Sequence, residues 1–426
     1  MDLLLLSISL ISLFSLLLAF NFFQQPPHKN LPPTPSFSLP LIGHLHLLKH
    51  PVHQTLQSLS QKHGHVFSLR FGSRLVVVVS SSSLVQECFT KNDVILANRP
   101  LFKSSKYLTY NYTNLAIAPY GEHWRNLRRI STLEIFSASR LNLFREIRED
   151  EVKRLLCKLW DKNSFEEFKK YCGDDLEDEE RSKKFKEMVT QVLAISAMGN
   201  PGDNTQPECY SDEIIKGLIQ VVFLAGIDTI AVTLEWALSQ LLNNSEVLKK
   251  ARDEIDSSIG QDRFVNEADL SSLSYLEGII SETLRLNPAA PLLLPHCASE
   301  DCKIGGYDVP RDTMVLINAW AIHTDSSLWE DAKSFKPERH ENAIGVDLYK
   351  LLPFGLGRRA CPGMGTAQRV IALTLASLIQ CFEWQRLSNS LVDMTEGQGL
   401  TMPKAQPLTA KCRPRSVMKK LLPMRQ

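Results

Sequence analysis

The sequence predicts a mainly α-helical globule with small β-sheets, held behind an apolar N-terminal segment. Three observations point there. Apolar residues recur at helical spacing over most of the 426 residues. A run from Tyr210 to about Leu242 is apolar on most faces, as in a helix buried at the centre of a large domain. Clear strand patterning is confined to short stretches, the best being Val66–Phe71 and Arg74–Val79 around Gly72-Ser73. Charged residues make up 22% and hydrophobic ones 44%, which is ordinary for a globule with a core able to enclose a large cofactor. A net charge of +1 gives no basic footprint for nucleic acid. Nine cysteines at unpaired spacings argue against a disulfide framework or zinc ribbon and for a reducing compartment.

Leu3 to Phe23 carries no charge and is long enough to span a bilayer as a helix. No charged residue precedes the run in the manner of a signal peptide, and no small-x-small cleavage pattern follows it, so a retained anchor over residues 1–23 is expected. Lys29 on its C-terminal side favours a cytosolic globule. Residues 24–40 hold Pro26, Pro27, Pro32, Pro33, Pro35 and Pro40, which exclude a helix and predict a stiff extended linker. Residues 41–426 then form the main domain. Within it, helices are expected over Arg145–Lys158, Arg181–Met198, 210–242 with Ser211 as cap, and Tyr275–Leu286 ending before Pro288. A Gly305-Gly306-Tyr307 turn leads to a strand at Met314–Ile317. The acidic run Asp174–Glu180 and the lysines after it read as a solvated surface.

Chemistry concentrates near the C-terminus, in Pro353-Phe-Gly-Leu-Gly-Arg-Arg-Ala-Cys361-Pro-Gly363. Glycines let backbone N–H groups approach the sulfur, and arginine charge favours thiolate over thiol. Such a loop suits an anionic sulfur held against a metal, with the arginines able to pair with acidic groups of a cofactor. Gly355-Leu-Gly357-Arg-Arg-Ala360 also fits a dinucleotide fingerprint, but Pro353 precedes it, Pro362 interrupts the required helix, and no βαβ pattern surrounds it. Four weaker patterns accompany the loop. Trp124 and Arg128 stand four apart on one helical face. Ala225-Gly226-Ile227-Asp228-Thr229 puts a glycine, an acid and a hydroxyl inside the long apolar helix. Taken alone, it is also consistent with a kink where the threonine bonds a carbonyl one turn back. Glu282-x-x-Arg285 would alone be a routine ion pair, and Pro337-Glu-Arg339 lies about 50 residues further on. His296 follows Pro295.

Phe354, Gly357, the Arg358-Arg359 pair, Cys361 and Gly363 lie at the spacing F-x-x-G-x-R-x-C-x-G. With the other four patterns in order, the chain closely resembles the cytochrome P-450 family. Lys106–Thr113 and Ser299–Pro310 look like its plant isoflavone 2′-hydroxylase branch. The resemblance implies the haem-thiolate P-450 fold and haem b (iron protoporphyrin IX), with Cys361 as axial iron ligand. Trp124 and Arg128 would meet one haem propionate and His296 the region of the second, with Arg359, Phe354 and Gly355 forming the cofactor-side loop. Thr229 and Asp228 would handle oxygen and protons. Glu282, Arg285 and Arg339 would form a structural network locking the cysteine loop. Tyr107, Tyr110, Leu400 and Thr401 would line the substrate pocket. The resemblance further implies O2, electrons from NADPH-cytochrome reductase, an apolar or phenolic substrate of isoflavonoid type, and a single-pass place in the endoplasmic reticulum membrane.

Two departures stand out. Ile230 replaces a frequent second hydroxyl, and His340 a frequent phenylalanine. Ala225 follows Arg128 by only 97 positions, far fewer than the family has, so material like helices E, G and H is expected to be missing between about 160 and 210. The expected activity is hydroxylation by a haem-thiolate monooxygenase. The alternatives are a non-catalytic shortened isoform without a pocket roof, and a haem isomerase or dehydratase, against which Asp228-Thr229 argues.

Overall fold

The computed structural model describes residues 7–16, 30–35, 37–161, 211–341, 347–399 and 401–421. After an apolar N-terminal helix at Ser7–Leu16, the chain forms α1 (Val52–His63) and the hairpin β1 (Val66–Phe71) and β2 (Arg74–Val79), with the predicted bounds. Helices α2 (Ser82–Thr90), α3 (Glu122–Ile130) and α4 (Arg145–Asp161) follow. The expected helix at Arg181–Met198 and most of the anchor lie outside the described residues. Beyond them come α5 (Asp212–Asn243), α6 (Ser245–Ser258) and α7 (Ser274–Leu286). The strands β3 (His296–Cys297), β4 (Cys302–Ile304), β5 (Tyr307–Val309) and β6 (Met314–Ile317) precede α8 (Met364–Cys381), β7 (Phe382–Arg386) and β8 (Ala410–Pro414).

The main sheet has the order β1-β2-β6-β3, with β2 and β6 parallel. Val76 to Val79 and Met314 to Ile317 are buried, giving the continuous apolar runs of a strand covered on both faces. A helical core gathers α4, α6, α7, α8 and the C-terminal half of α5 around Leu238, Leu241, Ile279 and Leu378. Ser211 occupies the α5 N-cap position, but its side chain makes no capping hydrogen bond.

The long apolar helix is not buried along its whole length. Val232 to Ser239 are buried, whereas Leu224 is 68% and Ile227 41% exposed. In its first half, Ile215, Ile219 and Val222 pack on the Trp124 cluster, leaving the stripe through Leu224, Ile227 and Asp228 open. Apolarity all round predicted burial on every face; here one face remains uncovered among the described residues.

The proline-rich segment is bonded to the domain from Asn30 onward. The Asn30 carbonyl accepts from the Asp308 N–H, the Pro33 carbonyl from the Ser68 N–H, and the Pro32 carbonyl from the Ser68 hydroxyl. Proline offers no N–H of its own, but its carbonyls still serve an edge strand.

Candidate functional site

The cysteine loop begins at Leu352, which is buried, and its N–H donates to Nε2 of His323. Gly355 N–H donates to the Leu352 carbonyl, and Cys361 N–H to the Phe354 carbonyl. Gly355 and Gly357 both hold positive φ, +67° and +66°. At Gly357 a β-carbon would collide with the carboxylate of Asp93, which accepts from Arg358 N–H and pairs with its guanidinium. Glycine is therefore required there twice over, by dihedral and by space. Phe354 packs against the helical core and anchors the loop from below.

Cys361 is accessible to solvent, yet desolvation by surrounding protein is the largest influence on its thiol and pushes its pKa up. A side chain both reachable and hemmed in lies in a concavity. The Gly363 N–H and the Arg128 charge act the other way and favour thiolate. Arg128 itself donates from Nη1 to the Ala360 carbonyl at 2.6 Å, one residue before the sulfur.

Three guanidinium groups converge beside this loop. Arg359 donates to the carbonyls of Ala97, Leu115 and Ala118 and lies 4.3 Å over the Trp124 ring. Burial first, then the charges of Arg99 and Arg128, lower its pKa to about 9. Arg99 is buried, lowered by desolvation to about 10, donates to the carbonyls of Leu294 and Pro295, and leaves Nε without a partner. No carboxylate offsets Arg99, Arg128 or Arg359 among the described residues. Like charges gathered without a counter-ion are destabilising unless an anion joins them. His296 completes the wall. Burial, then Arg99, lowers it to about 3, so it is neutral, with Nδ1 at 2.7 Å from the Leu96 carbonyl.

Trp124 sits beneath this group, but its indole N–H is taken by the Leu115 carbonyl at 3.0 Å. The face of the indole ring is the shelf under Arg359. Sequence reasoning missed Arg99; Asn98-Arg99-Pro100 has no motif-like spacing, and only the fold brings it to the cluster.

On α5, Gly226 faces open space with nothing within 4 Å of a built β-carbon. Thr229 Oγ1 donates to the Ala225 carbonyl at 2.6 Å, the one-turn-back bond open to threonine in a helix. Asp228 Oδ2 accepts from Thr401 Oγ1 at 2.5 Å. Thr401 is held by its neighbour Met402, whose carbonyl accepts from the Trp236 indole at 2.7 Å and whose N–H donates to the Ala289 carbonyl. Of the other expected pocket residues, Tyr107 is 84% exposed, and Leu400 lies outside the described residues.

Glu282 is fully buried and accepts from both Arg285 Nε and Nη2 at 2.7 Å, from Arg339 Nε at 2.9 Å, and from Lys336 N–H. His340 Nε2 lies 2.9 Å away on the same carboxylate. Desolvation would raise the Glu282 pKa; the hydrogen bonds from Arg285 and His340 outweigh it and hold the group at about 2.

The sequence profile of the cytochrome P450 family matches residues 32–173 and 162–409. The chain is a cytochrome P450. It is 47% identical to "Cytochrome P450 81Q32" of Catharanthus roseus, over 92% of this chain and 93% of that one. It is 46% identical to an isoflavone 2′-hydroxylase of Glycyrrhiza echinata, over 96% and 98% respectively. The latter alignment runs over 490 positions against 426 residues here, so the relative carries an internal stretch this P450 lacks. Among solved structures, a zebrafish cytochrome P450 with progesterone superposes at a TM-score of 0.74 and 23% identity, over 86% of this chain and all of that one. That likeness establishes the mainly helical fold with small sheets.

The family's cofactor is haem held by a thiolate, and the residues of this P450 fit it. Cys361 offers a sulfur in a concavity with an N–H and a cation beside it. Arg99, Arg128 and Arg359 form an uncompensated cationic cluster, with an orphaned Nε, suited to two carboxylates. Gly226 leaves open space on α5.

Proposed function

We propose that this P450 hydroxylates an apolar, phenolic plant metabolite of isoflavonoid type, with Cys361 as iron ligand, O2 as oxidant and electrons from NADPH-cytochrome reductase. Bound haem supplies the activation of O2 and transfer of one oxygen atom to carbon. The chain's own residues do the rest. Cys361, with the Gly363 N–H and Arg128 beside it, holds negative charge on sulfur. Arg99, Arg128 and Arg359 bind the cofactor's carboxylates, and neutral His296 lines the same wall without adding charge. Thr229, its proton committed to Ala225, presents an oxygen that accepts a hydrogen bond, and Asp228 holds or releases a proton next to it. The uncompensated arginine cluster beside Cys361 carries this reading most directly. The isoflavone 2′- and 3′-hydroxylases among the relatives support the substrate class. The uncharged run Leu3–Phe23 is long enough for a membrane anchor, which would place the protein at the endoplasmic reticulum with the domain in the cytosol.

The test is a reduced, carbon monoxide-treated sample of purified protein. A red-shifted thiolate Soret band and product from an isoflavone with reductase and NADPH are expected; a band of detached thiol, or no haem, overturns the proposal. A second reading has its own observation. The additional internal residues of the Glycyrrhiza echinata relative support a shortened isoform that keeps haem but not turnover. It predicts the thiolate band without product.

A further inference from the structure

The Glu282 network and the cysteine loop are joined through one buried side chain that no sequence pattern marks. His323 ends the short helix Ala319–His323 and is fully buried. Asn318 caps that helix through the Ala321 N–H and donates to the His53 carbonyl, so the helix is fixed at its start. At its end, the His323 carbonyl accepts from Arg285 Nη1 at 2.6 Å, and the same nitrogen donates to the Ala332 carbonyl. The imidazole points the other way, where Nε2 accepts the Leu352 N–H at 2.9 Å. An accepting Nε2 places the ring proton on Nδ1, which is buried and faces the Arg285 backbone carbonyl. Burial, then the Arg285 charge, keeps the ring neutral and so able to accept.

We propose that His323 is a positioning residue for the Cys361 ligand: its neutral imidazole ties the start of the cysteine loop to the buried Glu282–Arg285 pair. The inference rests on Cys361 being the iron ligand. The geometry runs without a break. Glu282 fixes Arg285, Arg285 fixes the His323 backbone, and His323 fixes Leu352, whose carbonyl takes the Gly355 N–H in the turn leading to Phe354 and Cys361. Leu352 also packs in the apolar cluster of Val79, Ile317 and Ile322, which holds its side chain but leaves its N–H needing an acceptor.

Glutamine can present an oxygen near the position of Nε2; leucine cannot accept at all, and asparagine is too short to reach. Holoprotein carrying H323Q, H323L or H323N is compared with wild type by the carbon monoxide difference spectrum and by hydrogen exchange of peptides covering residues 350–361. In H323Q, the thiolate band keeps its wild-type share. In H323L, that band shifts mostly to the detached-thiol position, and Leu352 exchanges about tenfold faster. H323N replaces H323L if the latter does not fold. An unchanged band and unchanged exchange in the variant that cannot accept overturns the proposal, as does equal loss in H323Q. If wild type itself shows no thiolate band, the ligand assignment fails instead, and exchange at Leu352 alone still decides whether His323 holds the loop.

Discussion

At the sulfur, three influences set the protonation of Cys361: burial opposes charge, while the Gly363 N–H and Arg128 favour it. Removing one favourable influence should therefore be visible without removing the ligand. Arg128→Leu is expected to lower haem content on purification and weaken the thiolate band, whereas Cys361→Ala removes the band entirely. Both are read from the carbon monoxide spectrum. Thr229 and Asp228 lie on α5. Thr229→Ala should consume NADPH with less product and more hydrogen peroxide, a loss of coupling rather than of haem. Unchanged coupling would leave the Thr229 hydroxyl as a helix-bonding group only. These residues were legible in the sequence because their chemistry depends on local spacing. Arg99 was not, since nothing in Asn98-Arg99-Pro100 says that it will face Arg359. Nor was the indole N–H of Trp124, claimed by a backbone carbonyl nine residues earlier.

Among the elements, α7 shows how a structural motif supports a loop it does not contain. Glu282 and Arg285 were readable as an i, i+3 pair and Arg339 as its partner. The additions, His340 on the same carboxylate and His323 beyond Arg285, come from chain segments that meet only in the fold. Gly278 allows this meeting, because a β-carbon there would stand 2.9 Å from the Pro337 carbonyl. Gly278→Ala should destabilise the protein by ~1–3 kcal/mol by forcing α7 from the turn that carries Arg339, measured by urea unfolding. Acid should act on the same network. Glu282 is held at about 2 against an ordinary 4.5, and His323 and His296 at about 3 against 6.5. All three bind protons more weakly folded than unfolded, so acid favours the unfolded chain. The histidine share of stability is complete above pH 6.5 and is lost as pH falls toward 3; the Glu282 share is complete above 4.5 and is lost toward 2. Urea midpoints should be level above pH 6.5 and decline below it. H323Q should flatten the upper part of that decline, leaving the shares of His296 and His44.

For the molecule as a whole, α5 is a built-in comparison, since one helix runs from the open distal side into the core. Its sequence is apolar throughout, and from that alone the halves look alike. What separates them is supply of partners: Leu238 is fully buried among α6, α7 and α8, while Leu224 has 68% of its surface open. The contrast is a difference in free energy between two leucines of one element. Leu238→Ala should cost about 2–5 kcal/mol, as truncation in a packed core does. Leu224→Ser should change stability by no more than about 0.5 kcal/mol, as at an exposed position. Both are read from urea midpoints at constant slope. Comparable losses at the two positions would mean that the stripe is covered in solution. A near-zero value at Leu224 would leave an apolar strip beside Asp228 and Thr229 open to solvent or to an apolar ligand. In that case an isoflavone, titrated into the haem-loaded protein and followed by its spectral shift, should bind Leu224→Ser more weakly than wild type.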